Sequence, residues 1–534
     1  MTHSRLRRNS QFMFAKPILR VISVLLFFVA LSMFLSAAVA GFYQEEDLFA
    51  HLMAAGTTLV AGIVLFLITG RPTKHMEVSH RQAFAVVTFG WLASCLFGAL
   101  PYFYFAHLPH VLYADAAESA GVESPDCEAN AGIGREFCSF TNSVFESSSG
   151  FTTTGATILE AGLWSSTKGR QGGLPHGILF WRALTHFLGG MGIIVLGVAI
   201  LPLLGVGGMQ LFKAEVPGPV KDKIAPRVTE TARLLWKVYA GLTFAEFLLL
   251  TLLTDQGPFI AICHAFATMA TGGFSPLAIS VEGCGSATAE WIILVFMMLA
   301  GANFSLHFLS LRRRRPIYWK DTEFRFYTSV VLVATVGLAF ILCFSHDFGV
   351  HDGIRAALFQ SLTIMTTTGF STSDFALWAV GAQLILFSLF FVGGCAGSTG
   401  GGIKCVRVFL MLKVGFRELR RLVHPHGIIQ TKLSGKVVGA DITHSVAGFI
   451  ILYLSIFFLS VIVFGIAGHD IVTSLTAVGA NIGNIGPGLA KVGPAGNYNF
   501  FAAPLKWICI FDMLAGRLEI YSVIIVLTPE FWRR

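Results

Sequence analysis

Charged residues are scarce in this chain. Only 13% of its 534 residues are Asp, Glu, Lys or Arg, about half the share of an average soluble domain. Titratable groups cluster at no single depth, which argues against a membrane enzyme. The nine cysteines are scattered, with no CxxC and no Cys/His pairing at metal-ligand spacing, so no metal cluster is indicated. No GxGxxG follows a strand, and Ser434-Gly435-Lys436 lacks the upstream glycine of a phosphate-binding loop. The short stretch after the last apolar run leaves no room there for a nucleotide-binding domain. The net charge is +8, but no basic stripe is interleaved with aromatics, which sets nucleic acid aside as a partner.

Apolar residues are abundant: 54% of the chain is hydrophobic and the mean hydropathy is +0.70. This composition describes an integral membrane protein. Apolar runs able to cross a hydrocarbon core of about 30 Å fall at roughly 18–40, 50–70, 83–106, 175–203, 231–253, 288–311, 324–345, 379–411, 442–466 and 504–528. About ten crossings put both termini on one side. The basic clusters at Arg5–Arg8, Arg71–Arg81, Lys213–Arg227, Arg312–Arg315, Lys413–Arg421 and Arg533-Arg534 then share one face, which the positive-inside rule makes cytoplasmic. The opposite loops lean acidic, as in Glu45-Glu46-Asp47 and at Asp115, Glu118, Glu123, Asp126, Glu128 and Glu136. The first apolar run is longer than the h-region of a signal peptide, which favours an uncleaved anchor. Cys127 and Cys138 share the long outer loop; an oxidising compartment permits a bridge between them, and the spacing leaves the matter open.

One short turn is written four times. It reads Thr152-Thr153-Thr154-Gly155-Ala156-Thr157, Ala270-Thr271-Gly272-Gly273-Phe274-Ser275, Thr366-Thr367-Thr368-Gly369-Phe370-Ser371 and, more loosely, Gly483-Asn484-Ile485-Gly486-Pro487-Gly488. The key glycines lie roughly 100–120 residues apart, which marks a large internal repeat. Each turn follows a short segment (Phe140–Gly150, Pro258–Ala270, Asp352–Met365, Asp470–Asn481) and precedes a long apolar one. These segments are too short to span, so they read as re-entrant half-helices. Non-helical backbone at membrane depth is tolerated where it is buried in protein or lines a wet cavity. Four such breaks argue for a pore. The C-terminal end of a helix carries about half a negative charge, and glycine lets backbone carbonyls turn toward an ion. Four turns sharing an axis would make a ring of carbonyl oxygens that replaces the hydration shell of a small cation.

The chain therefore divides into an N-terminal two-helix region, 1–82, and four repeats at 83–215, 216–320, 321–436 and 437–534. The third repeat holds Gly393-Gly394-Cys395-Ala396-Gly397-Ser398-Thr399-Gly400-Gly401-Gly402, in which six of ten residues are glycine. At about 1 kcal/mol per glycine relative to alanine a continuous helix is disfavoured there. Close packing of small residues between helices is one reading, and a flexible loop beneath the ring that obstructs the pore is the other. Arg517 lies about 16 Å inside the last span at 1.5 Å per residue, too deep to snorkel. It needs acceptors, either carbonyls of the glycine-rich loop or a carboxylate such as Glu519 of a neighbouring subunit. Asn303 and His307 are one helical turn apart, either facing a lumen or satisfied between helices. Glu146 and His264, in the short segments, read as structural anchors.

These motifs, with Trp181-Arg182, Gly189-Gly190-Met191-Gly192, Leu204-Gly205-Val206-Gly207-Gly208-Met209-Gln210, Ala300-Gly301-Ala302-Asn303-Phe304, Gly516-Arg517-Leu518-Glu519-Ile520 and Thr528-Pro529-Glu530-Phe531-Trp532, resemble the Trk/Ktr/HKT superfamily of potassium transporters, most closely its bacterial TrkH/TrkG type. The resemblance runs over nearly the whole chain. It implies an all-α polytopic membrane protein, with four helix–pore-loop–helix repeats in pseudo-fourfold array around one ion pore and two extra N-terminal transmembrane helices. It implies potassium uptake across the bacterial inner membrane, with potassium the only ion held and no cofactor on this chain. The filter carried over comprises Thr153, Thr154 and Gly155; Thr271, Gly272 and Gly273; Thr367, Thr368 and Gly369; and Asn484, Ile485 and Gly486. In the superfamily a serine at the first glycine goes with sodium permeation, so Gly155 favours potassium. The fourth turn departs from the Thr-Thr-Gly pattern in the Asn-rich form usual for this type. A ring less strictly repeated than a four-chain channel filter predicts looser discrimination, with passage of rubidium and some sodium. The resemblance supports the gate reading of Gly394, Ala396, Gly397, Ser398, Thr399, Gly400 and Gly401, with Arg517 an electrostatic barrier. It also implies a homodimer and a separate cytoplasmic Rossmann-type subunit of the TrkA kind, binding NAD and adenine nucleotides and docking on the basic inner loops. The rival is a proton-coupled secondary transporter of potassium or another small solute, in which twofold or inverted repeats are usual.

Overall fold

The computed structural model describes residues 2–70, 79–108, 127, 132–159, 173–192, 228–345, 348–427 and 429–533. The acidic positions 115–126 and 128, the basic stretches 71–78 and 213–227 and the motif at 204–210 lie outside the described residues, as do the side chains of 5–8. The first apolar run forms α1 (Thr2–Tyr43), which turns back into α2 (Asp47–Thr69). Asp47 opens α2, where a carboxylate suits the positive helix end. α3 (His80–Gly98) begins with a capping box in which Ser79 and Gln82 each satisfy the other's backbone N–H.

Short helices follow at each position that the sequence marks as too short to span. These are α4 (Phe140–Phe151), α7 (Gly257–Ala270), α11 (Val350–Met365) and α15 (Ile471–Ile482). Between them run α5 (His176–Gly190), α6 (Val228–Leu253), α8 (Ala287–Ala300), α9 (Phe304–Arg313), α10 (Thr322–Ser345), α12 (Val380–Leu389), α13 (Cys405–Val423) and α14 (Ala440–Ile466). The chain closes with α16 (Ala503–Arg517), α17 (Tyr521–Leu527) and α18 (Pro529–Trp532). Ser434-Gly435, with φ of 48° and 79°, turns a two-stranded hairpin, β1 (Lys432–Leu433) and β2 (Lys436–Val437). That is the left-handed pair a tight hairpin needs.

Among the described residues six helices are long and apolar enough to cross a membrane: Ala15–Tyr43, Asp47–Thr69, Arg81–Leu108, Ala232–Leu253, Thr322–Phe344 and Ala440–Ile466. Their outer faces expose large apolar side chains such as Leu67, Phe344 and Ile466, while α4 is buried from Asn142 to Phe151 and α15 from Thr473 to Ile482 apart from the half-buried Leu475. The short helices α4 and α15 thus lie largely inside the protein, while the long helices turn apolar faces outward, as a hydrocarbon solvent demands.

The other four expected crossings differ from continuous spans. α5 stops at Gly190, and 193–203 lie outside the described residues. α8 and α9 are bent by 96° across 301–303. α12 and α13 are separated by the glycine-rich loop, and α16 gives way to α17 through Glu519, whose φ is 55°. The breaks follow packing beneath the repeated turns, which hydropathy does not register. A Cβ on Gly189 would lie 1.9 Å from the carbonyl oxygen of Phe151, and one on Gly516 would lie 2.0 Å from that of Ile482. The pairing the sequence leaves open is made: Cys127 and Cys138 form a disulfide.

Candidate functional site

All four short helices end in one way. In the first, Thr153 N donates to Gly150 O at 3.0 Å and Thr154 N to Ser149 O at 2.9 Å. The same pair recurs from Thr271 and Gly272 to Thr268 and Ala267, from Thr367 and Thr368 to Ile364 and Thr363, and from Asn484 and Ile485 to Asn481 and Ala480, at 2.8–3.1 Å. This is the Schellman termination. Its left-handed residue, commonly glycine, is here Thr153 (φ 53°), Thr271 (55°), Thr367 (60°) and Asn484 (53°). Two residues on, Gly155, Gly273, Gly369 and Gly486 take φ of 80°, 84°, 80° and 94°. A β-branched residue in the left-handed region costs on the order of 1–3 kcal/mol, so three of the four turns hold strain that their surroundings must sustain.

The four turns meet in a closed cycle. A Cβ on Gly155 would lie 2.2 Å from Gly272 O, one on Gly273 2.1 Å from Thr368 O, one on Gly369 1.9 Å from Ile485 O, and one on Gly486 2.6 Å from Thr154 O. In each case the oxygen belongs to the residue just before the next turn's glycine, and the fourth contact returns to the first turn. The order around the cycle is the order along the chain. No side chain fits at any of the four glycines without displacing a neighbouring carbonyl. Asn484 adds a side-chain link across the closing seam, donating from Nδ2 to Thr154 Oγ1 at 3.0 Å and to Met513 O at 2.9 Å.

On one side of the cycle lies a cavity of about 60 Å³ that opens toward solvent, lined by Gly155, Gly273, Gly369 and Gly486 together with Arg182 and Tyr498. Arg182 is buried and pairs with Glu146 at 2.8 Å. Glu146 also accepts from Thr157 Oγ1 at 3.0 Å and from Ile158 N at 3.1 Å, which ties α4 to the chain leaving its own turn. Phe274 lies between the Arg182 guanidinium, 4.0 Å from the ring centre, and the His186 ring at 4.2 Å. His264 bonds Ile260 O and Ser275 Oγ at 3.0 Å each. Glu146 and His264 therefore brace the backbone behind the turns. Tyr498 donates its hydroxyl to Gly486 O at 2.8 Å and its N–H to Thr157 O at 2.8 Å. Nothing in the local pattern around Tyr498 singles it out.

The glycine-rich loop closes the other side. Thr399 Oγ1 donates to Met269 O at 3.0 Å, and Gly401 N to Thr367 Oγ1 at 2.7 Å. A Cβ on Gly400 would lie 3.0 Å from Thr366 O and one on Gly401 2.7 Å from Asn484 Cβ, so the loop packs directly under turns two, three and four. Gly397 O accepts from Phe304 N at 3.0 Å, Ser398 Oγ donates to Cys395 O at 2.6 Å, and Gly394 lies against Gly301 O. Arg517 fills the remaining quarter, donating to Thr399 O at 2.5 Å, Gly189 O at 2.6 Å and Gly190 O at 2.9 Å. Its acceptors are thus carbonyls. Glu519 pairs instead with Arg407 at 2.5 Å. Lys404, also buried, donates to Gly400 O. His307 is satisfied by Tyr318 and Leu299 O at 2.9 Å each, while Asn303 caps α9 through Ser305 N. Lys404 closes the glycine-rich motif Gly393–Lys404 on which the resemblance rests; Arg407 shows only as a charge in an apolar run, and Glu323, which holds the loop from α10, is one of several charges between Lys320 and Arg325 that nothing in the pattern singles out.

The arrangement offers a small cation a cavity, a narrow backbone cycle and an obstructed exit. Residues 87–533 match the family model TrkH, described as a cation transport protein. The chain is 38% identical over 521 residues to the Trk system potassium uptake protein TrkH of Escherichia coli (strain K12), covering 97% of this chain and 99% of that one. It is 37% identical over 523 residues to the Halomonas elongata protein of the same name, with the same coverage. The crystal structure of the potassium transporter TrkH from Vibrio parahaemolyticus matches with a TM-score of 0.80 at 34% identity, covering 97% of this chain and 99% of that one. The chain belongs to the TrkH family of cation transport proteins.

Proposed function

We propose that this chain takes up potassium through the cycle of four turns, which acts as its selectivity filter in pseudo-fourfold array. The filter residues are Thr153, Thr154 and Gly155, Thr271, Gly272 and Gly273, Thr367, Thr368 and Gly369, and Asn484, Ile485 and Gly486. The observation that carries the reading is the closed succession of contacts from Gly155 through Gly273 and Gly369 to Gly486 and back. Four helix C-termini directed at one place favour a cation, and carbonyl oxygens serve in place of its lost water. The cavity beside Arg182 and Tyr498 is the vestibule where the hydrated ion waits.

On this reading residues 1–82 form a two-helix annex and the repeats divide at 215, 320 and 436. Gly394, Ala396, Gly397, Ser398, Thr399, Gly400 and Gly401 are the gate, with Arg517 as its electrostatic bar. A guanidinium held by three carbonyls beneath the filter repels a cation and fixes the loop at once. The relatives are named as parts of a Trk system, which supports a further subunit; on this reading it is a cytoplasmic TrkA-type nucleotide-binding partner that opens the loop, and the chain is a homodimer in the bacterial inner membrane with both termini cytoplasmic.

Electrogenic rubidium uptake into proteoliposomes tests the reading. Uptake driven by membrane potential alone, without a proton gradient or second solute, is the expected result. Uptake that stops when the proton gradient is collapsed at constant potential would replace the pore with a proton-coupled carrier.

A further inference from the structure

The glycine-rich loop is held from a direction that the filter does not explain. Glu323 lies in the first turn of α10, outside the cycle of turns, yet its Oε1 accepts from Ala396 N at 2.7 Å and from Val406 N at 3.0 Å. Ala396 is on the limb entering the loop and Val406 on the limb leaving it, so one carboxylate oxygen joins both. A second observation points to the same residue. Lys404 is the residue just before α13 and its side chain makes no cap to the helix, although the first backbone N–H groups of any helix lack intrahelical partners. The missing cap comes from Glu323 on another helix. The two limbs are also paired through Gly393 N to Ile403 O at 2.6 Å and Cys405 N to Gly394 O at 3.1 Å, so the base of the loop is one small knot that Glu323 fastens to α10.

We infer that Glu323 is the latch of the loop, a positioning residue that sets how readily the loop leaves the filter. The inference rests on the reading of that loop as a gate. Hydrogen bonds to a carboxylate are roughly twice as strong as neutral ones, and a helix N-terminus adds to the attraction. The tip, by contrast, is held through Thr399, Gly401 and Arg517. Opening requires release at both places, and release at the base frees Ala396 and the start of α13 together. Displacement of α13 from the cytoplasmic side would break the Val406 bond first, because that donor moves with the helix. The latch therefore links movement of α13 to movement of the loop without any contact between Glu323 and the conducted ion.

The test is rubidium flux and the rubidium-to-sodium flux ratio for Glu323→Ala, Glu323→Gln and Arg517→Ala in proteoliposomes without a regulatory partner. Glu323→Ala should raise flux roughly tenfold, the change expected when a charge-assisted bond is removed from the closed state, with the ion ratio unaltered. Glu323→Gln keeps an acceptor oxygen in place and should return most of the wild-type restraint. Wild-type flux in Glu323→Ala, while Arg517→Ala conducts faster, overturns the latch and leaves the gate standing. Wild-type flux in both overturns the gate reading itself. A raised flux with a changed ion ratio also overturns the latch, since it would place the effect in the filter. Should Glu323→Ala fail to give monodisperse protein, Glu323→Asp carries the same test: one methylene shorter, it cannot reach both donors, and wild-type flux in that variant sinks the inference.

Discussion

The phenolic hydroxyl of Tyr498 lies 2.8 Å from the carbonyl oxygen of Gly486 and donates to it. That bond draws on an oxygen at the glycine of the fourth turn, the turn whose sequence departs most from the others. Tyr498→Phe removes the bond and little else. A neutral hydrogen bond contributes about 1 kcal/mol to stability, so thermal stability should fall modestly, and freeing the Gly486 carbonyl by the same increment should lower the potassium-to-sodium flux ratio roughly fivefold. An unaltered ratio would leave Tyr498 a scaffold residue.

Gly155→Ser attacks the first turn directly. The new Cβ would stand 2.2 Å from Gly272 O, at a backbone φ of +80°. The second turn must retreat, widening the cycle on one side. Potassium preference over sodium should weaken, measured as competing fluxes of the two ions; retention of the wild-type ratio would count against the filter assignment.

Arg517→Ala removes three hydrogen bonds from the underside of the cycle, those donated to the carbonyls of Thr399, Gly189 and Gly190. Flux should rise roughly tenfold. Arg517→Lys keeps the charge but not the planar fork, and should fall between the two. Equal flux in wild type and the alanine variant would remove the barrier role.

Glu146→Gln leaves Arg182 buried without its carboxylate. Breaking a buried ion pair from one side costs about 3–5 kcal/mol, so thermal unfolding in detergent should shift to markedly lower temperature. Glu146→Gln with Arg182→Met should recover part of the loss, because no charge is then stranded.

Asp470 caps α15 by accepting from Thr473 N at 2.8 Å. That backbone bond holds its carboxyl below the usual carboxylate range. A depressed folded-state value means the cap contributes above the ordinary carboxylate pKa and is lost as pH falls through the lowered one. Asp470→Ala should cost about 1 kcal/mol at neutral pH. The difference from wild type in thermal scans should vanish in acid; a gap that persists there would mean the carboxylate is not the stabilising group.

Much of the architecture is legible in the amino-acid order because it is local. Hydropathy marks the long helices, and segments too short to span mark α4, α7, α11 and α15. The turns depend on hydrogen bonds reaching three to five residues back, so the repeated Thr-Thr-Gly pattern announces a break at each, though not that Thr or Asn takes the left-handed position of a Schellman end. The dense glycines at 393–402 announce an interruption for the same reason. The breaks after Gly190, at 301–303 and at Glu519 are hidden, since hydropathy averaged over a span does not register them and the close contacts at Gly189 and Gly516 are with carbonyls of other helices.

What the sequence alone determined is therefore a membrane chain with four equivalent turns and one glycine-rich interruption, each encoded within a helical turn or two. Only the tertiary structure decided that Gly155 faces Gly272 and Gly486 returns to Thr154. It also decided that Arg517 takes carbonyls while Glu519 takes Arg407, and that Glu323 and Tyr498 reach the loop and the fourth turn. Those contacts join residues far apart along the chain. Their distances depend on how helices pack around one centre, and no local propensity carries that information.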